Sequence, residues 1–211
     1  LSINLPRLAL ESSKDETYFR ARLVLLMKPA IAAMATRKKD VSDLIRRGVN
    51  PILAEKTQFM QKNNSSLILN LVGLKEAVYK ILGHKDDKAG KEILNKVLET
   101  AVDIAHKKGK EMGVDVSIAM IASDELTRFV TLDSEKYGKN SIMDVLDGDL
   151  YSQGLELNTT ELDKLTTKSE TISDCNKISK ILDGGLLVKL PFEIKSKDAD
   201  IKKAIEKASL L

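Results

Sequence analysis

Leu1-Ser2-Ile3-Asn4-Leu5 alternates apolar and polar positions with the period of a strand and stops at Pro6, which has no amide hydrogen to give to a ladder. A short strand followed by a polar turn is expected. From Asp15 onward, Phe19, Leu23, Leu26, Ala30 and Ala33 recur at spacings of four and three, the period of a helix face. The opposite side is also largely apolar through Val24, Leu25, Met27, Ile31 and Met34, so this helix should be covered over more than one face. Pro29 removes a backbone donor and clashes one turn back, which predicts a kink or break near Lys28. Asp40 or Ser42 then caps a second short helix that ends at Arg46-Arg47-Gly48, where cations meet the negative helix end.

Asn50-Pro51 and Asn63-Asn64-Ser65-Ser66 punctuate the chain before Leu67-Ile68-Leu69-Asn70-Leu71-Val72, a nearly continuous apolar run that suits a strand buried on both faces. Gly73 turns it into a helix, Leu74 to Leu82, closed by Gly83. A longer helix runs from about Asp87 to Met112 with Leu94, Val97, Leu98, Ala101 and Ala105 on its inner face, and Gly113 ends it. Val114, Val116, Ile118 and Met120 alternate in the next strand, and Ser123 sits where it can cap a helix from Asp124 towards Tyr137. Residues 138 to 171 read as irregular and polar, with a strand at Leu155-Glu156-Leu157. Ser173 caps a short helix through Leu182, Gly184-Gly185 leads into a strand at Leu186 to Leu190, and a helix from about Asp198 closes the chain.

Strands alternating with helices, joined by crossovers longer than a dozen residues, imply parallel strands connected right-handedly, so the fold class is α/β. No repeat or low-complexity linker divides residues 1 to 211, which read as a single segment, one domain or one half of a larger one. The start on Leu1 rather than Met, directly in an apolar stretch, is what a piece of a longer polypeptide would show.

Composition narrows the chemistry. Hydrophobic residues make up 43% and charged residues 31%, with 34 Lys+Arg against 31 Asp+Glu for a net charge of +3, which disfavours disorder and a polyanion-wrapping surface. The apolar run Leu23 to Met27 is five residues, far short of a membrane span, and no secretory signal pattern opens the chain, so a cytoplasmic location is expected. One cysteine, Cys175, excludes an internal disulfide, an iron–sulfur cluster and a Cys-x-x-Cys zinc site. Two histidines, His84 and His106, exclude a His-rich metal centre and read as surface residues. Cys175 lies in Ser173-Asp174-Cys175-Asn176 near a helix start, where the dipole lowers a thiol pKa, but with no histidine close in sequence it reads as an incidental thiol. Arg37-Lys38-Lys39 and Arg46-Arg47 read as solvated helix ends. Eight aromatics without Trp leave little to stack bases on, so no direct nucleic-acid partner is expected.

In a parallel sheet, ligands collect beyond the carboxyl ends of the strands, where helix N-termini present unpaired amides. Two corners qualify: Val72-Gly73-Leu74-Lys75, and Ile121-Ala122-Ser123-Asp124-Glu125-Leu126. The second is the better phosphate cradle because a small residue and a hydroxyl stand at the turn, although Asp124 and Glu125 repel an anion if they point inward and otherwise compensate the helix dipole. Neither common glycine-rich nucleotide fingerprint is present. No catalytic side chain is assigned.

Several strings together resemble the anaerobic, class III ribonucleoside-triphosphate reductases, which are glycyl radical enzymes. Ser2-Ile3-Asn4-Leu5-Pro6-Arg7-Leu8-Ala9-Leu10-Glu11-Ser12 resembles the strand and turn after that family's active-site cysteine loop, and Ser66 to Glu76 resembles its strand entering a Gly-Leu-x-Glu helix. Ser123-Asp124-Glu125-Leu126-Thr127-Arg128-Phe129 and Leu132-Asp133-Ser134-Glu135-Lys136-Tyr137-Gly138 are similar to its Ser-Glu-Ser-Leu-Thr and Leu-Asp-Thr-Glu-Lys-Phe-Gly stretches. Tyr151-Ser152-Gln153-Gly154 stands at its Tyr-Thr-Asn-Ser turn, and Gly184-Gly185 at its Gly-Gly before the last strand.

The resemblance implies a ten-stranded α/β barrel, of which residues 1 to 211 form roughly the second half, and reduction of ribonucleoside triphosphates at the 2′ carbon. A glycyl radical generates a thiyl radical that abstracts the 3′ hydrogen, and formate or a thiol system supplies electrons. It places the thiyl cysteine, an active-site asparagine, the allosteric domain and the dimer contacts before Leu1. A Cys₄ zinc module and the radical segment come after Leu211, and a radical S-adenosylmethionine, iron–sulfur activating protein is implied as partner. No cofactor is expected within residues 1 to 211. Ala122, Ser123, Asp124, Glu125 and Leu126 carry over as the substrate-phosphate corner, mainly through backbone amides. Here Ala122 replaces Pro, Glu125 replaces a hydroxyl residue, and the segment is one residue shorter before Arg128. Two other expectations are open to the sequence: a non-catalytic nucleotide-binding or assembly module derived from the same barrel, and a different glycyl radical enzyme acting on a non-nucleotide substrate, which the phosphate corner argues against.

Overall fold

The computed structural model describes residues 1–49, 66–146, 148–157, 170–190, 201–202 and 205–206. Its strands are β1 (Ser2–Asn4), β2 (Leu67–Val72), β3 (Val116–Ala119), β4 (Leu155–Glu156) and β5 (Val188–Lys189). The helices are α1 (Leu5–Glu11), α2 (Glu16–Arg46), α3 (the π-helical turn Glu76–Ile81), α4 (Lys88–Met112), α5 (Leu126–Tyr137), α6 (Lys139–Met143) and α7 (Glu170–Ile181). No helix among the described residues is long and apolar enough to cross a membrane.

β1, β2 and β3 form a parallel sheet in that order, with Ser2 opposite Asn70 and Asn70 opposite Ala119. β4 and β5 pair in parallel through Leu155 and Val188. The two sheets are joined where Met120 bridges Leu186 in parallel, with the Met120 amide donating to Gly185 O at 3.0 Å and the Leu187 amide to Met120 O at 2.8 Å. The spatial order is therefore β1-β2-β3-β5-β4, all in one direction. Each strand is reached by a crossover, as the order of elements predicts.

One face of this sheet carries Ile3, Leu69, Leu71 and Ile118, which join a core with Phe19, Leu23, Met27 and Ile31 of α2 and with α4. The five α4 residues expected on the inner face are all buried, Asp87 caps its start through the Gly90 amide at 3.0 Å, and Gly113 closes it in the left-handed region at φ +67°. The other face presents Ser2, Asn70 and Ala119 in one row, and the site assembles there.

Three expectations fail for identifiable reasons. The polar turn after Pro6 is instead α1, because Asn4 Oδ1 accepts from the Arg7 amide at 3.1 Å and Pro6 occupies a first-turn position where no donor is required. α2 runs unbroken through Pro29 to Arg46, so the second short helix from Asp40 or Ser42 is its continuation. Pro29 faces solvent, and the carbonyl it deprives, on Leu25, belongs to a residue 65% exposed that water can serve. Within α2 the buried stripe is Phe19, Leu23, Met27, Ile31 and Ala35; Leu26 and Ala33 turn outward, and Leu25 and Leu26 stay uncovered by the described residues. A helix apolar on most of its circumference does not encode its own rotation, and the row against α4 settles it.

Smaller shifts occur at helix ends. α5 begins at Leu126, two residues after the expected Asp124, and Ser173 lies inside α7 rather than capping it. α3 is π-helical, its Leu82 amide reaching back five residues to Ala77 O at 2.9 Å. Within the stretch expected to be irregular, α6 forms and the strand at Leu155-Glu156 is present. Asn50-Pro51 and residues 63–65 lie outside the described residues; of the closing helix from Asp198, residues 201–202 and 205–206 are described, and both pairs are helical.

Candidate functional site

Asn70 interrupts the apolar run of β2 and is 4% exposed, so its carboxamide needs partners. It finds both on one residue. Asn70 Nδ2 donates to Ile121 O at 3.0 Å and Oδ1 accepts from the Ile121 amide at 2.8 Å, extending the ladder past the end of β3 with a side chain. Residues 121–126 are thereby steered over the polar face of the sheet. Ser123 Oγ lies 2.9 Å from Ser2 Oγ and accepts from the Glu125 amide at 3.3 Å, while the Ser123 amide donates to Gln153 Oε1 at 2.9 Å. Ala122 and Asp124 are exposed, Glu125 is half-buried and Leu126 is buried.

Of the amides expected to cradle phosphate, those of Ser123 and Glu125 thus have internal acceptors, and that of Asp124 has none among the described residues. At the other corner, the Gly73 amide donates to Ser152 O at 2.9 Å. Gly73 has φ +72°, and a Cβ there would stand 2.4 Å from Pro6 Cγ, so only glycine lets β2 turn beneath α1.

The segment Tyr151 to Gly154 lies across both corners, held by two buried carboxylates. Asp133 of α5 is fully buried and accepts from Asn4 Nδ2 at 2.7 Å, Arg7 Nε at 2.5 Å and the Tyr151 hydroxyl at 2.9 Å. Burial first, and the Asp133 charge second, push the Tyr151 phenol far above its ordinary range, so it remains a donor. Glu76 of α3, 3% exposed, accepts from the Ser152 amide and hydroxyl, both at 2.6 Å. Gln153 pairs with Val72 in an antiparallel bridge. This clasp ties the start of the chain, the end of β2 and α5 into one unit at the carboxyl ends of the strands.

Sequence reasoning placed the corner and missed the clasp. The signal was present: Asn70 inside an apolar strand, Asp133 seven residues after Leu126 on the inner face of α5, and Glu76 between buried Leu74 and Ala77 are polar positions where periodicity calls for apolar ones. Their partners lie far away in the chain, so spacing could not supply them.

The remaining candidates sit elsewhere. Cys175 is buried within α7 and lines a cavity of about 280 Å³ with Tyr79, Asp86, Lys91 and Asp174, which residues 121–126 do not line. Burial, then the Asp86 charge, raises the Tyr79 phenol beyond its usual range. His84 faces Glu16 at 3.7 Å, and exposed His106 bonds Asp183 at 2.6 Å. Among the described residues no three His, Cys, Asp or Glu side chains converge as a metal ion requires.

Beside the clasp, Glu11 bridges Lys136 of α5 at 2.7 Å and Arg22 of α2. The Lys136 hydrogen bond leads in holding its carboxyl below the usual range, against a smaller desolvation penalty. A depressed carboxyl stabilises the fold above its unfolded value of 4.5 and loses that contribution as pH falls through the folded value. Lys136→Met should therefore flatten the acid limb of a urea-midpoint-versus-pH curve below about pH 4.5. An unchanged limb would show that the ion pair is idle in solution.

Comparison with known proteins places this geometry. A family model described as anaerobic ribonucleoside-triphosphate reductase matches residues 1–209. The crystal structure of the anaerobic ribonucleotide reductase from Thermotoga maritima with glycerol in the active site superposes with a TM-score of 0.70 at 19% identity, covering 99% of this chain and 33% of that one. The same organism's enzyme in complex with dATP and CTP gives 0.71 at 20% identity, with 99% and 34% covered. A third structure, described as an anaerobic ribonucleotide reductase, gives 0.67 at 21% identity, with 99% and 33% covered. No curated protein matches. The chain spans about a third of the length of these solved structures.

Proposed function

This chain belongs to the anaerobic ribonucleoside-triphosphate reductase family, and from that premise we propose that it is a barrel segment of such an enzyme, catalytic only within the longer polypeptide. The observation that carries the reading is the row of five co-directional strands with a polar corner and its clasp gathered at their carboxyl ends. That is where an open or closed α/β sheet binds its ligand. Five such strands supply half of a ten-stranded barrel. The outer edge of β1, which pairs only with β2 among the described residues, and the groove of about 500 Å³ beside it, lined by Leu1, Ile3, Leu25 and Leu26, are the surfaces the other half would cover.

The substrate is a ribonucleoside triphosphate whose anionic tail rests on residues 122–126; the Thermotoga maritima structure with dATP and CTP supports a nucleotide ligand. Binding uses the Asp124 amide directly and those of Ser123 and Glu125 once their internal acceptors yield. A single cysteine cannot furnish a Cys₄ zinc module, and buried Cys175 lines a cavity that residues 122–126 do not, so no radical or metal step is routed through this segment. Those steps, the homodimer contacts and the docking of an activating protein in the cytoplasm belong to flanking polypeptide.

Calorimetric titration of the isolated chain with a ribonucleoside triphosphate is expected to show weak binding or none, because half the pocket is absent; submicromolar affinity would contradict the reading. In the full-length enzyme, Ser123→Ala removes a hydroxyl from the corner and should raise KM with little change in kcat, by on the order of 1 kcal/mol. An unaltered KM would move the triphosphate elsewhere. Reading the coding sequence beyond residue 211 separates this from the assembly-module alternative: a stop codon in place of a glycyl radical segment would favour the latter.

A further inference from the structure

We infer that Gln153 is the residue that decides whether the phosphate corner is occupied, its carboxamide holding the Ser123 amide when the corner is empty and rotating to donate to an anion when it is filled. This rests on the assignment of the corner as a triphosphate site. The geometry is a fixed backbone carrying a rotatable head. Glu76 pins the neighbouring Ser152 through two hydrogen bonds, the Gly73 amide holds Ser152 O, and Gln153 itself bridges Val72. Gly154, at φ +66° and packed against Leu187 O, anchors the other side. The torsions of the Gln153 side chain are the freedom left. Its oxygen must face the Ser123 amide, which can only donate, so the resting orientation follows from the partner.

A carboxamide is both acceptor and donor, which is what such an exchange requires. A phosphate oxygen is a better acceptor for the Ser123 amide than Gln153 Oε1, since charge assistance roughly doubles the strength of a hydrogen bond. Once displaced, Oε1 would meet the anion lone pair to lone pair; turning the group presents Nε2 instead, so the amide and the carboxamide both donate to the ligand. A carboxylate at this position could only accept, and it would join Asp124 and Glu125 as negative charge at the same turn. Gln153 therefore selects a triphosphate over the uncharged nucleoside.

The test uses the full-length enzyme and measures affinity for a ribonucleoside triphosphate and for the corresponding nucleoside, with Ser123→Ala as a control for the corner. Gln153→Glu should weaken triphosphate binding by about tenfold or more and Gln153→Ala by about threefold, both leaving nucleoside binding unchanged. If Gln153→Ala tightens triphosphate binding or leaves it unchanged while Ser123→Ala weakens it, Gln153 only blocks the corner and the inference falls, though the corner stands. If Gln153 variants weaken triphosphate and nucleoside alike, the residue is structural and the inference also falls. If Ser123→Ala and both Gln153 variants leave triphosphate affinity intact, the corner itself is misassigned.

Discussion

Asp133→Asn is expected to lower the unfolding free energy of the chain by about 3 kcal/mol, seen as a fall in the urea midpoint at unchanged slope. The carboxylate is fully buried and accepts from three donors, two at the start of the chain and one on Tyr151. An amide of the same shape offers one acceptor atom and two donors, so at least one of Asn4 Nδ2, Arg7 Nε and the Tyr151 hydroxyl loses its partner and a donor faces a donor. Arg7 is about a third exposed and recovers some hydration, which keeps the cost below that of a wholly buried ion pair. Arg7→Met is the complementary experiment. It leaves a buried negative charge with only two neutral donors, and the double variant should cost less than the sum of the singles. A change below about 0.5 kcal/mol in Asp133→Asn would mean that the clasp is not a stabilising unit.

Gly154→Ala should be the most damaging small substitution at the site. The residue sits at φ +66°, and a Cβ there would lie 2.0 Å from Leu187 O, the acceptor for the Leu155 amide at 2.8 Å. Backbone on both sides leaves no flexible side chain to move aside, so β4 must part from β5 and the clasp loses its anchor. Gly113 supplies the control: φ is +67° and nothing lies within 4 Å of its added Cβ. Gly113→Ala then reports left-handed backbone strain alone, about 1 kcal/mol, while Gly154→Ala adds the clash and should exceed about 3 kcal/mol. Equal midpoints for the two variants would show that the Leu187 contact relaxes freely.

Much of this was legible along the chain. α4 was readable from cap to cap because its determinants, an Asp at the start, an apolar row and a Gly at the end, act within one or two turns of the residues they organise. The order of strands and crossovers, and hence the parallel sheet and the corner after β3, followed from the same local patterns. α1 is hidden in the sequence because Pro6 reads equally as the stop of a strand and as the first turn of a helix, and the outcome depends on whether Asn4 ends the strand or caps a helix; it does both.

What the sequence determined by itself is the α/β class, the succession of elements and the place where helix N-termini and strand ends meet, since periodicity, caps and turns act between near neighbours. What the tertiary structure decided is which face of α2 is buried and how the corner is furnished. Asn4 reaches Asp133 across 129 positions, Glu76 reaches Ser152 across 76 and Ser123 reaches Gln153 across 30. A buried polar group takes the donor that the packed topology brings within about 3 Å, and no spacing in the chain specifies that partner until the strands are laid side by side.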